Sequence, residues 1–111
     1  MDFAPSTAET MMTETETEKR YPVLVNLSTN EKHILNSASI TLGRAPENNV
    51  ILEEDGYASA NHARIYWDNG WWVEDLMSSN GTAVNDQLLN SPHQLMPNDI
   101  IKVGRTLFRI E

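Results

Sequence analysis

From Tyr21 onward the chain is a succession of short β-prone runs cut by turn residues, and no window carries a helical period. Val23-Leu24-Val25-Asn26-Leu27, His33-Ile34-Leu35, Ile40-Thr41-Leu42 and Val50-Ile51-Leu52 are divided by Ser28-Thr29-Asn30 and Pro46-Glu47-Asn48-Asn49. Between the aromatic runs Ala63-Arg64-Ile65-Tyr66-Trp67 and Trp71-Trp72-Val73-Glu74-Asp75-Leu76 lies Asp68-Asn69-Gly70, a strong hairpin signal. Thr82-Ala83-Val84-Asn85 follows, and Leu95-Met96-Pro97-Asn98-Asp99 turns the chain into Ile100-Ile101-Lys102-Val103. Gly104-Arg105 then turns into Thr106-Leu107-Phe108-Arg109-Ile110, which alternates at period two. Short runs at roughly 8–12-residue spacing predict an all-β fold, an antiparallel β-sandwich.

Its 111 residues suit one domain, and the charge is distributed unevenly along them. Of the 16 acidic residues, Asp2, Glu9, Glu14, Glu16 and Glu18 fall in the first 18 positions with no base, leaving 11 acids against 8 bases thereafter. Thr13-Glu14-Thr15-Glu16-Thr17-Glu18 is polar on both faces of any strand, so burial cannot offset its ordering entropy. Residues 1–20 are therefore expected to be a disordered acidic tail, and residues 21–111 the folded domain. The acidic balance, net −8, speaks against nucleic-acid binding, and no polybasic segment suits an anionic membrane surface. There is no cysteine, no apolar run long enough to span a bilayer, and no basic start followed by an apolar stretch. A cytoplasmic protein without membrane insertion is the expectation.

Three islands between the runs carry polar groups suited to an anion: Gly43-Arg44, Ser59-Ala60-Asn61-His62 and Ser78-Ser79-Asn80-Gly81-Thr82. The planar guanidinium of Arg44 makes bidentate, charge-assisted hydrogen bonds to phosphate, and Gly43 would let the backbone turn tightly before it. Ser59 and His62 invite a nucleophile-and-base reading, but no third group orients the imidazole and no oxyanion nest follows. A hydroxyl that binds an anion beside a buried, loop-pinning histidine fits better, and no enzymatic activity is expected. Asn80-Gly81 alone is an ordinary turn signal; the neighbouring Ser78 and Ser79 add hydroxyls, and the Asn80 carboxamide bonds a peptide backbone in both directions. Asn85 is either a turn residue or a brace between loops. Taken singly each position reads as a turn, and only the combination argues for a site. His33, His62 and His93 lack metal-like spacing, and Glu53-Glu54-Asp55-Gly56 lacks the alternating ligands of a calcium loop and reads as a solvated loop. No metal or cofactor is expected. Trp67, Trp71 and Trp72 read as core and hairpin packing, with one of the adjacent pair facing outward.

Together, Leu42-Gly43-Arg44, Ser59-x-x-His62 and Asp75-Leu76-x-Ser78-Ser79-Asn80-Gly81-Thr82-x-Val84-Asn85 resemble the forkhead-associated (FHA) domain, as does the closing Asp99-x-Ile101-x-Val103-Gly104. The likeness covers roughly residues 22–111, and the chain resembles a small bacterial-type single-FHA protein. It implies a β-sandwich of about eleven strands whose loops at one end bind phosphothreonine peptides, preferring threonine through a small pocket for its γ-methyl group. On that resemblance Arg44 and Ser59 bind the phosphate, Ser79 adds a hydroxyl and Asn80 holds the peptide backbone. Gly43, His62, Gly81 and Asn85 shape the loops. Ala60 and Asn61 stand where many members carry basic residues, which implies weaker phosphate affinity. The loop before Ser59, which helps choose the residue three places after the phosphothreonine, offers Tyr57 and acids but no base. An apolar or aromatic residue is therefore expected there rather than aspartate.

The implied function is a phosphothreonine-peptide-binding signalling adaptor downstream of a Ser/Thr kinase. Thr7, Thr10, Thr13, Thr15 and Thr17 are candidate phosphoacceptors, and a phosphorylated tail threonine would occupy the Arg44 pocket in cis or in a neighbouring molecule. The alternative is a phosphate-independent interaction scaffold with a weakened pocket.

Overall fold

A computed structural model of the chain describes residues 21–111; the expected tail and its candidate phosphoacceptors Thr7, Thr10, Thr13, Thr15 and Thr17 lie outside them. The described residues form eleven strands: β1 (Val23–Asn26), β2 (Lys32–Ile34), β3 (Ser39–Gly43), β4 (Val50–Ile51), β5 (Ala63–Trp67) and β6 (Trp71–Asp75), then β7 (Thr82–Val84), β8 (Gln87–Leu88), β9 (His93–Gln94), β10 (Ile100–Val103) and β11 (Thr106–Ile110). Two sheets result, one ordered β9-β6-β5-β3-β4 and the other β2-β1-β11-β10-β7-β8. Among these residues no helix is long and apolar enough to cross a membrane.

The core follows from alternation along each strand. Ile40 and Leu42 of β3, Ala63 and Ile65 of β5, and Val73 of β6 point inward from one sheet. Leu24, Val84, Ile101, Val103, Phe108 and Ile110 meet them from the other, and all these side chains are buried. Leu35, Leu52, Ala58 and Leu95, from the connections, close the same cluster. The expected sandwich is present, with one pair that departs from antiparallel order: β4 runs parallel to β3, Leu42 opposite Val50 and Gly43 opposite Ile51. The connection doubles back beside β3, where the Asn49 Oδ1 accepts from the Thr41 amide at 2.9 Å. The chain therefore starts β4 again in the direction of β3.

The Asp68-Asn69-Gly70 hairpin joins β5 to β6 as the sequence predicts, Asn69 taking a φ of 53° and Gly70 of 143°. Trp67 is not core, however. It is 54% exposed and meets Trp71 edge-on at 5.4 Å between ring centroids, while Trp71 packs against the core. Trp72 is half-buried and its indole N–H donates to the Asp68 carbonyl at 3.0 Å.

Strand direction gathers the 44–49, 52–62 and 76–81 connections and the Gly104-Arg105 turn at one rim, since Val103 pairs with Thr82 at the start of β7. The Asn85-Asp86 turn and Asp99 lie at the other end of those strands.

Candidate functional site

A short series of hydrogen bonds ties three distant stretches into one rim. The Arg44 amide donates to the Ser59 carbonyl at 2.9 Å, and the Ser79 amide donates to the Ser59 Oγ at 3.0 Å. From the next residue the Asn80 Nδ2 donates to the Tyr57 carbonyl at 2.9 Å. Arg44, Ser59, Ser79 and Asn80 are thus brought together, although 36 positions separate the first from the last.

Beneath them His62 is fully buried, with both ring nitrogens bound. Its Nδ1 accepts the Ser59 amide at 2.9 Å, so the proton resides on Nε2, which lies 2.8 Å from the Gly81 carbonyl and donates to it. The imidazole therefore clamps the 52–62 connection to the 76–81 loop. Neither nitrogen faces the Ser59 hydroxyl, which instead accepts from Ser79, and a serine–histidine catalytic pair is not assembled.

Gly43 acts through close approach rather than through a tight turn. A Cβ at this position would sit 2.2 Å from the Ala60 carbonyl oxygen and 2.8 Å from the Asn48 Nδ2. Buried Asn48 explains the crowding, for its Nδ2 donates to the carbonyls of Ala60 (2.6 Å) and Ala45 (2.9 Å) and pins the Arg44 loop to the Ser59 segment. Gly81 requires glycine for its φ of 84°; an added Cβ would meet only the tip of the exposed Leu88 side chain, which can swing aside.

Asp75 organises the serine-rich loop. Its carboxylate receives the Ser78 amide (3.0 Å), the Ser78 hydroxyl (2.5 Å) and the Thr82 hydroxyl (2.7 Å). Burial opposes its charge, but these bonds outweigh burial and hold the carboxyl below the ordinary aspartate range. They also hold exposed Met77 at a φ of 57°, an uncommon conformation for a bulky residue. Ser78 is consequently a scaffold residue, its oxygen also accepting from the Gly81 amide at 2.8 Å. Ser79 is exposed, and its hydroxyl makes no hydrogen bond among the described residues.

Arg44 is exposed, and its guanidinium makes no hydrogen bond or ion pair among the described residues. It is the only Lys or Arg within the 44–49, 58–62 and 76–81 segments. On the loops tied to its backbone, Ser59 Oγ–H, Ser79 Oγ–H and the second Asn80 N–H offer neutral donors, and Asn80 Oδ1 an acceptor. A single full positive charge among fixed neutral donors suits a phosphate dianion.

Three features were not legible as site elements. Asn48 and Asp75 brace the loops, and the sequence shows only turn-like and strand-end residues there. The third is a base: the Arg105 guanidinium, from the β10–β11 turn, lies over the Tyr57 ring at 3.9 Å, although the loop before Ser59 has no base of its own. Asp55 makes that meeting possible and is no solvated loop residue. Its Oδ2 accepts from the Arg105 amide (2.8 Å) and the Thr106 hydroxyl (2.7 Å), and its Oδ1 from the Tyr57 amide (3.0 Å). Partial burial again opposes the charge, and these bonds prevail to lower its pKa. Asn85 lies away from the rim. With a φ of 51° it forms a turn, and it braces β10 by donating to Asp99 (2.9 Å) and accepting from the Ile100 amide (3.0 Å).

These loops and the sandwich beneath them define a family. The FHA domain model matches residues 40–104, and the chain belongs to that family. Among curated relatives it is similar to FhaB of Mycobacterium tuberculosis, 30% identical over 77 residues that cover 68% of this chain and 49% of FhaB. An FHA domain-containing protein of Arabidopsis thaliana is 40% identical over 70 residues, covering 60% of this chain and 18% of that protein. The chain thus spans about half the length of the first of these relatives and less of the second. In three dimensions it resembles an FHA domain studied for phosphothreonine-dependent interactions, with a TM-score of 0.76 and 27% identity over 82% of this chain and 95% of that one. Mycobacterium tuberculosis EmbR, solved with a low-affinity phosphopeptide, gives a TM-score of 0.78 at 25% identity over 82% of this chain and 24% of EmbR.

Proposed function

We propose that the protein captures phosphothreonine peptides without chemical change, as a signalling adaptor downstream of a Ser/Thr kinase. The observation that carries this reading is the exposed Arg44 guanidinium, unpaired among the described residues, on a loop bonded to Ser59, whose hydroxyl is in turn bonded to Ser79. Arg44 and the hydroxyls of Ser59 and Ser79 hold the phosphate, which carries about −1.5 to −2 at neutral pH. Asn80 holds the peptide backbone with the groups left over from its bond to Tyr57. Membership of the FHA family and the phosphopeptide-bound EmbR neighbour support the ligand class.

The threonines at 7, 10, 13, 15 and 17 extend the same reading to the protein's own chain. Phosphorylated, one of them occupies the Arg44 pocket, and tethering supplies an effective concentration of roughly millimolar that compensates for a weak site. Calorimetric titration against a phosphothreonine library, with phosphoserine and unphosphorylated controls, tests the ligand class. NMR of the kinase-treated chain tests the tail, where an absence of Arg44-dependent shift changes removes that extension. A phosphate-independent scaffold is the second reading, favoured by uncharged, exposed Ala60 and Asn61 beside Ser59. It requires partner capture that survives phosphatase treatment.

A further inference from the structure

Next to the Asn80 carboxamide, a groove of about 290 Å³ opens on the outer face of the second sheet. Ala83, Lys102 and Leu88 share that face, because Lys102 pairs with Ala83 and Ala83 with Leu88. Tyr57 and Arg105 form its wall, and no carboxylate lines it. Arg105 stacks on Tyr57 but has no ion-pair partner among the described residues, nor has the exposed Lys102. The groove on the other side of the stack has the opposite character: Glu31, Glu53, Glu54 and Asp55 line it, with Arg105 at its border as well, whereas Lys102 lines only the first groove. The Tyr57–Arg105 stack is thus a ridge between an acidic trough and a cationic one. Only the cationic trough includes Asn80 and Gly81, and so only it continues from the candidate phosphate site.

We infer that the Lys102–Arg105 groove selects phosphothreonine peptides carrying acidic side chains beside the phosphorylated residue; the inference rests on the phosphopeptide reading above and deepens it. Two unpaired cations over an apolar floor attract carboxylates, while the acidic trough repels them from the alternative path. The expectation of an apolar or aromatic preference took account only of the loop that holds Tyr57, and Arg105 reaches it from 48 positions away. The chain contains a sequence of the matching kind. In Thr13-Glu14-Thr15-Glu16-Thr17-Glu18 each threonine is followed by glutamate, which sets three carboxylates within three residues of Thr15.

The test uses a synthetic peptide of residues 10–18 phosphorylated at Thr15, and its E14Q/E16Q/E18Q counterpart, titrated into the full chain. The glutamine peptide binds roughly three- to tenfold more weakly, the scale of a few solvent-exposed charge pairs, and the gap narrows with added salt. K102Q/R105Q closes the gap while the melting temperature falls by no more than the few degrees that one exposed cation–π contact supplies, and R105K largely retains it. Equal binding of the two peptides by the unmodified chain, or a gap that survives K102Q/R105Q, overturns the inference alone. Failure of both peptides to bind overturns the phosphopeptide reading and the inference with it.

Discussion

Replacing His62 with alanine removes the clamp that joins two of the rim loops, and its cost can be worked from the bonds it makes. The ring is fully buried, so its loss leaves the Ser59 amide and the Gly81 carbonyl without their partner. Each stranded main-chain group costs about 1–3 kcal/mol, and the lost packing and residual cavity add on the order of 1–2 kcal/mol. The expected loss is therefore about 3–8 kcal/mol, against a total of roughly 5–14 kcal/mol for a domain of this size. At about 4–8 °C per kcal/mol, the melting temperature falls by at least ~12 °C. Calorimetry or a far-ultraviolet circular dichroism melt reads this directly. A fall of less than ~4 °C would refute the clamp, because it would mean that neither hydrogen bond contributes in the folded state.

Arg44→Ala should do the reverse, abolishing phosphopeptide binding in a titration while moving stability by no more than about 0.5 kcal/mol, since the side chain is exposed and unpaired. Gly43→Ala should cost about 2–4 kcal/mol and weaken binding as well, because the added carbon meets the Ala60 carbonyl at 2.2 Å and forces the Arg44 loop away; urea unfolding of the variant measures it. The lowered pKa values of Asp75 and Asp55 make the rim acid-sensitive. Their contribution is complete above the ordinary aspartate value of about 3.9 and is lost as pH falls through the lower folded values. The urea midpoint should therefore drop below about pH 4, and less steeply in Asp75→Asn.

Much of the fold is written locally. Ile40-Thr41-Leu42 and Thr106 to Ile110 alternate inward and outward residues, and their core faces are those that alternation selects. The Asp68-Asn69-Gly70 turn states its own geometry. β8 and β9 leave no such mark, because each is two residues long with both exposed, too short for an alternation between buried and exposed positions to show. The parallel placement of β4 was hidden for another reason, since the loop before it folds back on β3, the Thr41 amide donating to Asn49 Oδ1, and no local pattern states that contact. Trp67 follows the strand pattern yet stays largely exposed at the hairpin.

By itself, the order of residues determined the sandwich, the chemistry of Arg44, Ser59, Ser79 and Asn80, and their likeness to one family. Hydrophobic alternation and turn chemistry act over a few residues, and functional groups are identities rather than positions. Tertiary structure alone decided that Gly43 serves close approach, that Asp75 and Asn48 brace the loops, and that Arg105 crosses to Tyr57. Those roles depend on contacts between strands far apart in sequence, made only when two sheets close on a shared core and bring their connecting loops to one rim.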